Sequence, residues 1–168
     1  MSKAVILLRG NSGSGKSTLA RMLQQHFGRG TLIVPQDTVR RELLWARDGH
    51  GTPAIPLMIA LARWGAEHCD YVIVEGILDA EVYEPLFRAL AEIFPRVHAY
   101  YYDLPFEETL LRHQTKPNRN DFGEADMRRW WKEKDFIGWL PETTIGPDVT
   151  LDAALDRILS DVNRDLLP

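Results

Sequence analysis

Short, continuously apolar runs alternate along this chain with longer stretches in which apolar residues return every three or four positions. Residues 4–8, Ala-Val-Ile-Leu-Leu, contain no polar position at all, the pattern of a strand covered on both faces, as in a parallel sheet. Similar runs lie at 31–35, 71–75 and 97–103, and a weaker fifth near 143–145. Between the first two, Leu19, Met22, Leu23 and Phe27 fall on one helical face. Pro105, followed by Glu107 and Glu108, suits a first helical turn, with Phe106, Leu110 and His113 on one face. Near the end, Thr150 stands as an N-cap before a stripe of Leu151, Leu155, Ile158, Leu159 and Val162. Strands alternating with helices predict βαβ units: an α/β fold with helices on both faces of a parallel sheet.

The turn after the first strand carries the most specific signal. Gly10-Asn11-Ser12-Gly13-Ser14-Gly15-Lys16-Ser17 matches G-x-x-x-x-G-K-[ST] and sits between a strand and a helix. The glycines allow backbone angles closed to other residues, so successive N–H groups can turn inward around a phosphate. Lys16 would reach the β- and γ-phosphates, Ser17 would hold Mg²⁺ through its hydroxyl, and Thr18 completes the loop in the first turn of a helix whose positive end faces the anion. ATP and Mg²⁺ are therefore the expected cofactors.

Bulk composition narrows the partners. The 168 residues predict one domain, spanning 1–168, and the mixture of 45% hydrophobic and 26% charged residues is that of an ordinary globule. A net charge of −4 opposes a broad nucleic-acid surface. Cys69 is the single cysteine, so no intrachain disulfide or cysteine-based zinc site can form. Met1-Ser2-Lys3 runs straight into the first strand and no apolar run approaches membrane length, which predicts a cytoplasmic protein with no membrane partner.

Two carboxylates end strand-like runs where ligands gather in such sheets. Asp37 follows the second run and can either accept the proton of an attacking hydroxyl or cap the helix that follows. Arg40, one turn on, is a candidate to grip an anionic or polar acceptor. Glu75 ends the third run, where a carboxylate orients hydrated Mg²⁺, so Ser17 and Glu75 form the expected metal pair. Two segments look like additions to the frame: 39–70, expected to cover the acceptor, and 116–135, expected to act as a lid. The lid's polar start leads into a basic, aromatic helical pattern around 127–134. Arg112 and Arg128 are the arginines expected to close over the transferring phosphoryl group. Trp130, Trp131 and Trp139 fit either stacking on a ligand or packing the lid on the core. No set of histidines has metal spacing.

Taken together, the phosphate loop, Asp37, Arg40, Glu75 and the basic stretch from Arg112 to Arg129 resemble the small P-loop (Walker A) kinases: chloramphenicol phosphotransferase, the kinase domain of polynucleotide kinases, gluconate kinase and zeta toxins. The resemblance implies a P-loop NTPase fold with a five-stranded parallel sheet of order 2-3-1-4-5 and a helical lid. It also implies an ATP-dependent phosphotransferase that moves the γ-phosphate to a hydroxyl of a small molecule or nucleoside, with Asp37 as base. A polynucleotide 5′-hydroxyl kinase is the alternative within enzymes, nucleic acid then entering only by its end. From another class, a nucleotide-binding switch lacks an N-K-x-D segment, and the D-x-x-G match at Asp48 to Gly51 does not follow a strand.

Overall fold

A computed structural model of the protein describes residues 4–165, so the reading of Met1-Ser2-Lys3 concerns residues outside that range. Five strands, β1 (Val5–Gly10), β2 (Leu32–Pro35), β3 (Val72–Gly76), β4 (Val97–Tyr102) and β5 (Glu142–Ile145), form one sheet of order β2-β3-β1-β4-β5. Every pairing is parallel. Six helices accompany them: α1 (Lys16–Phe27), α2 (Ala54–His68), α3 (Glu84–Ile93), α4 (Phe106–Gln114), α5 (Glu124–Trp130) and α6 (Leu151–Arg164). This is the order implied by the likeness to P-loop kinases.

The central strand shows why the apolar runs are unbroken. Val5 and Leu7 enter a core with Met58, Ala62, Leu86 and Phe87 from α2 and α3, whereas Ile6 and Leu8 enter a second with Leu19, Leu23 and Ile158 from α1 and α6. Successive side chains point to opposite faces, and each face is covered. β1 lies between β3 and β4, so its carboxyl end, where the glycine-rich turn begins, opens at the middle of the sheet edge.

Strand positions agree with the expected runs to within two residues at either end. Thr150 caps α6 as expected, its hydroxyl accepting the Ala153 N–H at 3.1 Å. The lid helix differs from expectation. It begins at Glu124 and ends at Trp130, because Trp131 is already extended and Lys134 takes a left-handed φ of 44°. After β2 the chain forms a short π-helical segment (Thr38–Leu43), which a periodicity of 3.6 does not anticipate.

One residue inside β1 is charged. Arg9 is fully buried, and its guanidinium is satisfied on several sides: Nη1 meets Glu142 at 2.7 Å, Nη2 meets Asp135 at 3.1 Å, and Nε and Nη2 donate to the Leu78 carbonyl at 3.1 and 2.8 Å. Phe87 and Tyr101 flank it with ring centroids 5.2 and 5.4 Å away. Glu142 uses its other oxygen to accept the Ile137 N–H, and Asp135 accepts the Ala80 N–H. Arg9 thereby joins the central strand to the β3–α3 turn, the return of the lid and β5.

Removing one partner from a buried ion network leaves the others charged and unpaired, at a cost of about 3–5 kcal/mol. Arg9→Met, close in volume, is expected to lose that much in a urea unfolding series. The second change in Arg9→Met/Glu142→Gln is expected to recover part of it. A single variant unfolding at the parental midpoint would show that the network holds nothing together.

Candidate active site

The loop between β1 and α1 is shaped by close approach from the lid side. Gly13 has φ 82°, and a Cβ there would collide with the Thr109 carbonyl of α4. Gly15 stands before α1 in a left-handed conformation, φ 105°, leaving the N–H groups of the first helical turn free of a side-chain cap. Such a turn is a ready anion site. Lys16 is buried and folded back on the loop, its Nζ donating to the Asn11 carbonyl at 2.9 Å and to Ser14 Oγ at 3.1 Å. Burial pulls its pKa down to about 8, while nearby Glu75 acts in the opposite sense.

Ser17 donates its hydroxyl to Glu75 Oε1 at 3.0 Å. Burial pushes the Glu75 carboxyl up, opposed by Lys16 and by the Ser17 hydrogen bond. A buried carboxylate paired with a hydroxyl at a phosphate loop fits Mg²⁺, which keeps several waters and takes few protein oxygens. Among the described residues no group of three or more His, Cys, Asp or Glu could form a metal cage.

Asp37 follows β2 by two residues, at the start of the π-helical segment, its side chain 66% exposed. It makes no capping hydrogen bond to the π-helical segment. Instead Oδ1 accepts from Arg40 Nη2 at 3.2 Å, with Arg41 Nε at 3.5 Å. Arg40 also donates to the Ala46 carbonyl and has Asp48 at 4.0 Å, so much of its hydrogen-bonding capacity is used within the protein. Asp48 in turn accepts from Tyr83 at 2.7 Å and from Gln36 at 3.2 Å, which fastens the 39–70 segment to the end of β2 and to the turn before α3.

The two lid arginines part company. Arg112 lies on the loop: Nη1 donates to the Ser14 carbonyl at 2.9 Å, Nη2 to the Pro147 carbonyl at 3.3 Å, and Nε to Glu108 at 2.8 Å. Arg128 makes no hydrogen bond to the loop among the described residues: its guanidinium is held by Glu124 at 2.8 Å and stands over the Phe106 ring at 4.2 Å. Lys116 is a further cation near this site: it is half-buried, interacts electrostatically with Glu75, Arg112 and Asp37, and desolvation lowers its pKa. In the sequence Lys116 was only one charge in a basic run; Thr115 and Pro117 beside it were the available hint of a chain reversal.

The loop also holds the lid's return. The Asn11 side chain pairs with the backbone of Lys132 in both directions, Nδ2 to the carbonyl at 2.6 Å and the Lys132 N–H to Oδ1 at 2.9 Å. Two cavities share Asp37, Arg41 and Phe122. The first, about 590 Å³, opens toward Ser17 and Glu75. The second, about 540 Å³, runs from Ser12 to Trp130, Trp131 and Lys132. A third, about 410 Å³, lies across the loop between Gly15, Tyr102, Arg112, Lys116 and the turn at Thr150. Of the tryptophans, Trp130 and Trp131 line the second cavity, while Trp139 packs elsewhere, bonded to Glu84 beneath Arg88. His113 is buried and holds the lid turn by contacts with the Arg119 and Phe122 carbonyls. His50 lies exposed beside Glu81.

A family model described as an AAA domain matches residues 5–137. Among solved structures the chain is similar to a gluconokinase from Sinorhizobium meliloti 1021, with TM-score 0.66 and 15% identity over 96% of this chain and 93% of that one. It is similar to the tunicamycin resistance protein of Deinococcus radiodurans, with TM-score 0.63 and 16% identity over 96% of each chain. It is also similar to the APS kinase of Mycobacterium tuberculosis in complex with AMPPNP and APS, with TM-score 0.62 and 15% identity over 97% and 99%. At such identities the likeness is one of fold. A search of curated proteins returns no match.

Lys16 generates a pH dependence. Its charge is present below about pH 8 and lost above it, and polyphosphate needs that charge. Affinity for Mg²⁺·ADP is expected to fall as pH rises through about 8, with proton uptake on binding above that value, read by calorimetry in two buffers of different ionisation heat. Stability runs the other way. The unfolded chain holds the proton up to the ordinary 10.5, so the cost of burying the ammonium is full below about 8 and fades toward 10.5. Lys16→Met is therefore expected to melt no lower than the parent at pH 7, while losing the rise in melting temperature that Mg²⁺·ADP confers. Retention of that rise would remove Lys16 from the phosphate site.

Proposed function

The chain belongs to the AAA domain family and has the fold of the P-loop kinases, and from that premise we propose that it transfers the γ-phosphate of ATP to a hydroxyl group of a small-molecule acceptor. It is a P-loop kinase, and ATP-dependent phosphoryl transfer is the chemistry that family and fold support. The acceptor type and the residue roles are the proposal. The observation that carries them is convergence: Lys16, Ser17, Glu75, Asp37 and Lys116 interact electrostatically within one site at the carboxyl edge of the sheet.

In this reading the N–H groups from Gly10 to Thr18 wrap the β-phosphate, and Lys16 exchanges its contacts with Asn11 and Ser14 for phosphate oxygens. Ser17 and Glu75 would hold Mg²⁺, which supplies charge neutralisation on the phosphates. The acceptor hydroxyl enters beside Ser12 and Asp37. Its oxygen forms the new bond to the γ-phosphorus as the bond to the β-phosphate oxygen breaks, ADP leaves, and the hydroxyl proton passes to Asp37. Arg40 orients that carboxylate through its hydrogen bond to Oδ1. Little covalent work falls to the protein in such a transfer, and positioned positive charge does most of it. Arg112, anchored on the Ser14 carbonyl, and Lys116 stand where that charge is needed. The nucleoside of ATP fits the cavity between Lys116 and Thr150.

Asp37→Asn separates chemistry from binding. The amide keeps the shape but cannot take the proton, so transfer should fall by about 10²-fold or more while ADP affinity stays within a factor of about two. The paired measurement is single-turnover phosphotransfer and ADP titration on the same preparation. Parental transfer by Asp37→Asn would end its assignment as base.

A further inference from the structure

The second cavity has a composition at odds with the rest of the chain. The protein carries a net charge of −4, yet this cavity is lined by Arg40, Arg41, Arg47, Arg129 and Lys132 against Asp37, Asp48 and Asp79. Most of those charges are committed. Lys132 pairs with Asp79, and Arg40 pairs with Asp37 and donates to the Ala46 carbonyl, its buried Nε making no hydrogen bond among the described residues. Arg41 and Arg129 are not fully spent. Arg41 reaches Asp37 by Nε, at 3.5 Å, and among the described residues its terminal nitrogens make no hydrogen bond. Arg129 meets Asp126 through Nη2 alone. Arg47 has no ion pair among the described residues.

Arg41 and Arg129 come from opposite walls, the π-helical segment and the lid helix, and both guanidinium carbons stand 5.8 Å from the centre of the Trp130 ring. Trp130 itself meets Phe122 edge-on at 5.1 Å, and Trp131 completes an aromatic wall. Each arginine has one carboxylate contact, Asp37 for Arg41 and Asp126 for Arg129, and two cations converging on one indole still repel each other across the cavity mouth, a repulsion that an anion bridging them would relieve. An aromatic wall beside paired guanidiniums suits a flat ring next to a negative group.

We propose that the acceptor is a small molecule carrying an anionic group and a flat ring in addition to the hydroxyl it offers, the anion bridging Arg41 and Arg129 over Trp130. This rests on reading the cavity beside Asp37 as the acceptor site. The bridge ties α5 to the opposite wall of the cavity. Arg41 and Arg129 are specificity residues for the acceptor and take no part in the proton transfer.

The test uses matched pairs that differ by one anionic group: para-hydroxymethylbenzoate against benzyl alcohol, and nucleoside monophosphates against their nucleosides. Each is titrated calorimetrically into the full chain loaded with Mg²⁺·ADP, and each is offered as acceptor with ATP. The anionic member of at least one pair is expected to bind on the order of tenfold or more tightly than its neutral partner, as a charge-assisted pair of contacts requires. Arg41→Gln and Arg129→Gln are each expected to abolish that preference and raise KM for the anionic acceptor by a similar factor. KM for ATP and the affinity for the neutral partner should not change. The proposal is overturned if no anionic compound binds better than its neutral partner, if none binds at all, or if both variants keep the preference. A 5′-hydroxyl oligonucleotide forms a further arm. If it binds through the same arginines more tightly than every small compound, with affinity falling steeply as salt rises, the acceptor is a polynucleotide end and the small-molecule claim is wrong. Anion binding through Arg41 and Arg129 without phosphate transfer to any bound compound would leave the anion site standing and remove the kinase reading of the cavity instead.

Discussion

A guanidinium with no access to water governs how this molecule is assembled. Arg9 sits one residue before the phosphate loop, in the strand on which the sheet is centred, and it must find acceptors on every side. The acceptors it finds belong to segments that would otherwise have little reason to meet: the turn at Leu78, the lid's return at Asp135 and the edge strand at Glu142. Two non-glycine residues with left-handed backbone, Leu78 and Lys134, lie within this arrangement, Leu78 offering its carbonyl and Lys134 preceding Asp135. Strained conformations of that kind persist where surrounding bonds over-determine them. Burying three charges contributes little net stability, since desolvation offsets attraction. What it supplies is uniqueness: the loop floor, the lid exit and β5 have one mutual arrangement that satisfies Arg9.

Above that floor the electrostatics are less settled, and this suits a site that must accept polyphosphate. Lys16 and Lys116 are both disfavoured as cations by burial, and Glu75 is disfavoured as an anion by the same cause. Each is partly supported by the others. Phosphate and a divalent cation would supply charge of both signs at once, relieving the tension that burial sets up among these three groups. The preorganised dipoles of the loop and the α1 terminus then act without having to rearrange.

Much of the frame was legible because it depends on local pattern. The run 4–8 reads as a doubly covered strand because no residue in it needs water, and the two cores take Val5 and Leu7 on one face and Ile6 and Leu8 on the other, Ala4 standing just before the strand. The glycine loop was legible because backbone geometry restricts which residues can occupy it. The lid was harder. Its helix begins and ends within seven residues, too short for periodicity to register, and its boundary at Trp131 is set by the Asn11 clasp, a contact across 121 positions. Arg128 and Arg112 look alike in sequence. Each is paired with a glutamate one turn earlier on its own helix, and the difference is tertiary: the Ser14 and Pro147 carbonyls lie within reach of Arg112, whereas Arg128 stands over the Phe106 ring. Arg9 could have been noticed as a charge at the end of a fully apolar strand, but nothing in spacing names Asp135 and Glu142 as its partners.

The pairing between Asn11 and Lys132 has an evolutionary side. A primary amide that donates to a carbonyl and accepts from an N–H recognises the peptide unit itself, and every residue except proline presents that unit in the same way. The clasp is therefore blind to which side chain stands at position 132 and to the residues that precede it. Substitutions along α5 can therefore reshape the wall of the second cavity while its docking on the glycine-rich turn is untouched, so that wall is free to change one residue at a time without rebuilding the turn.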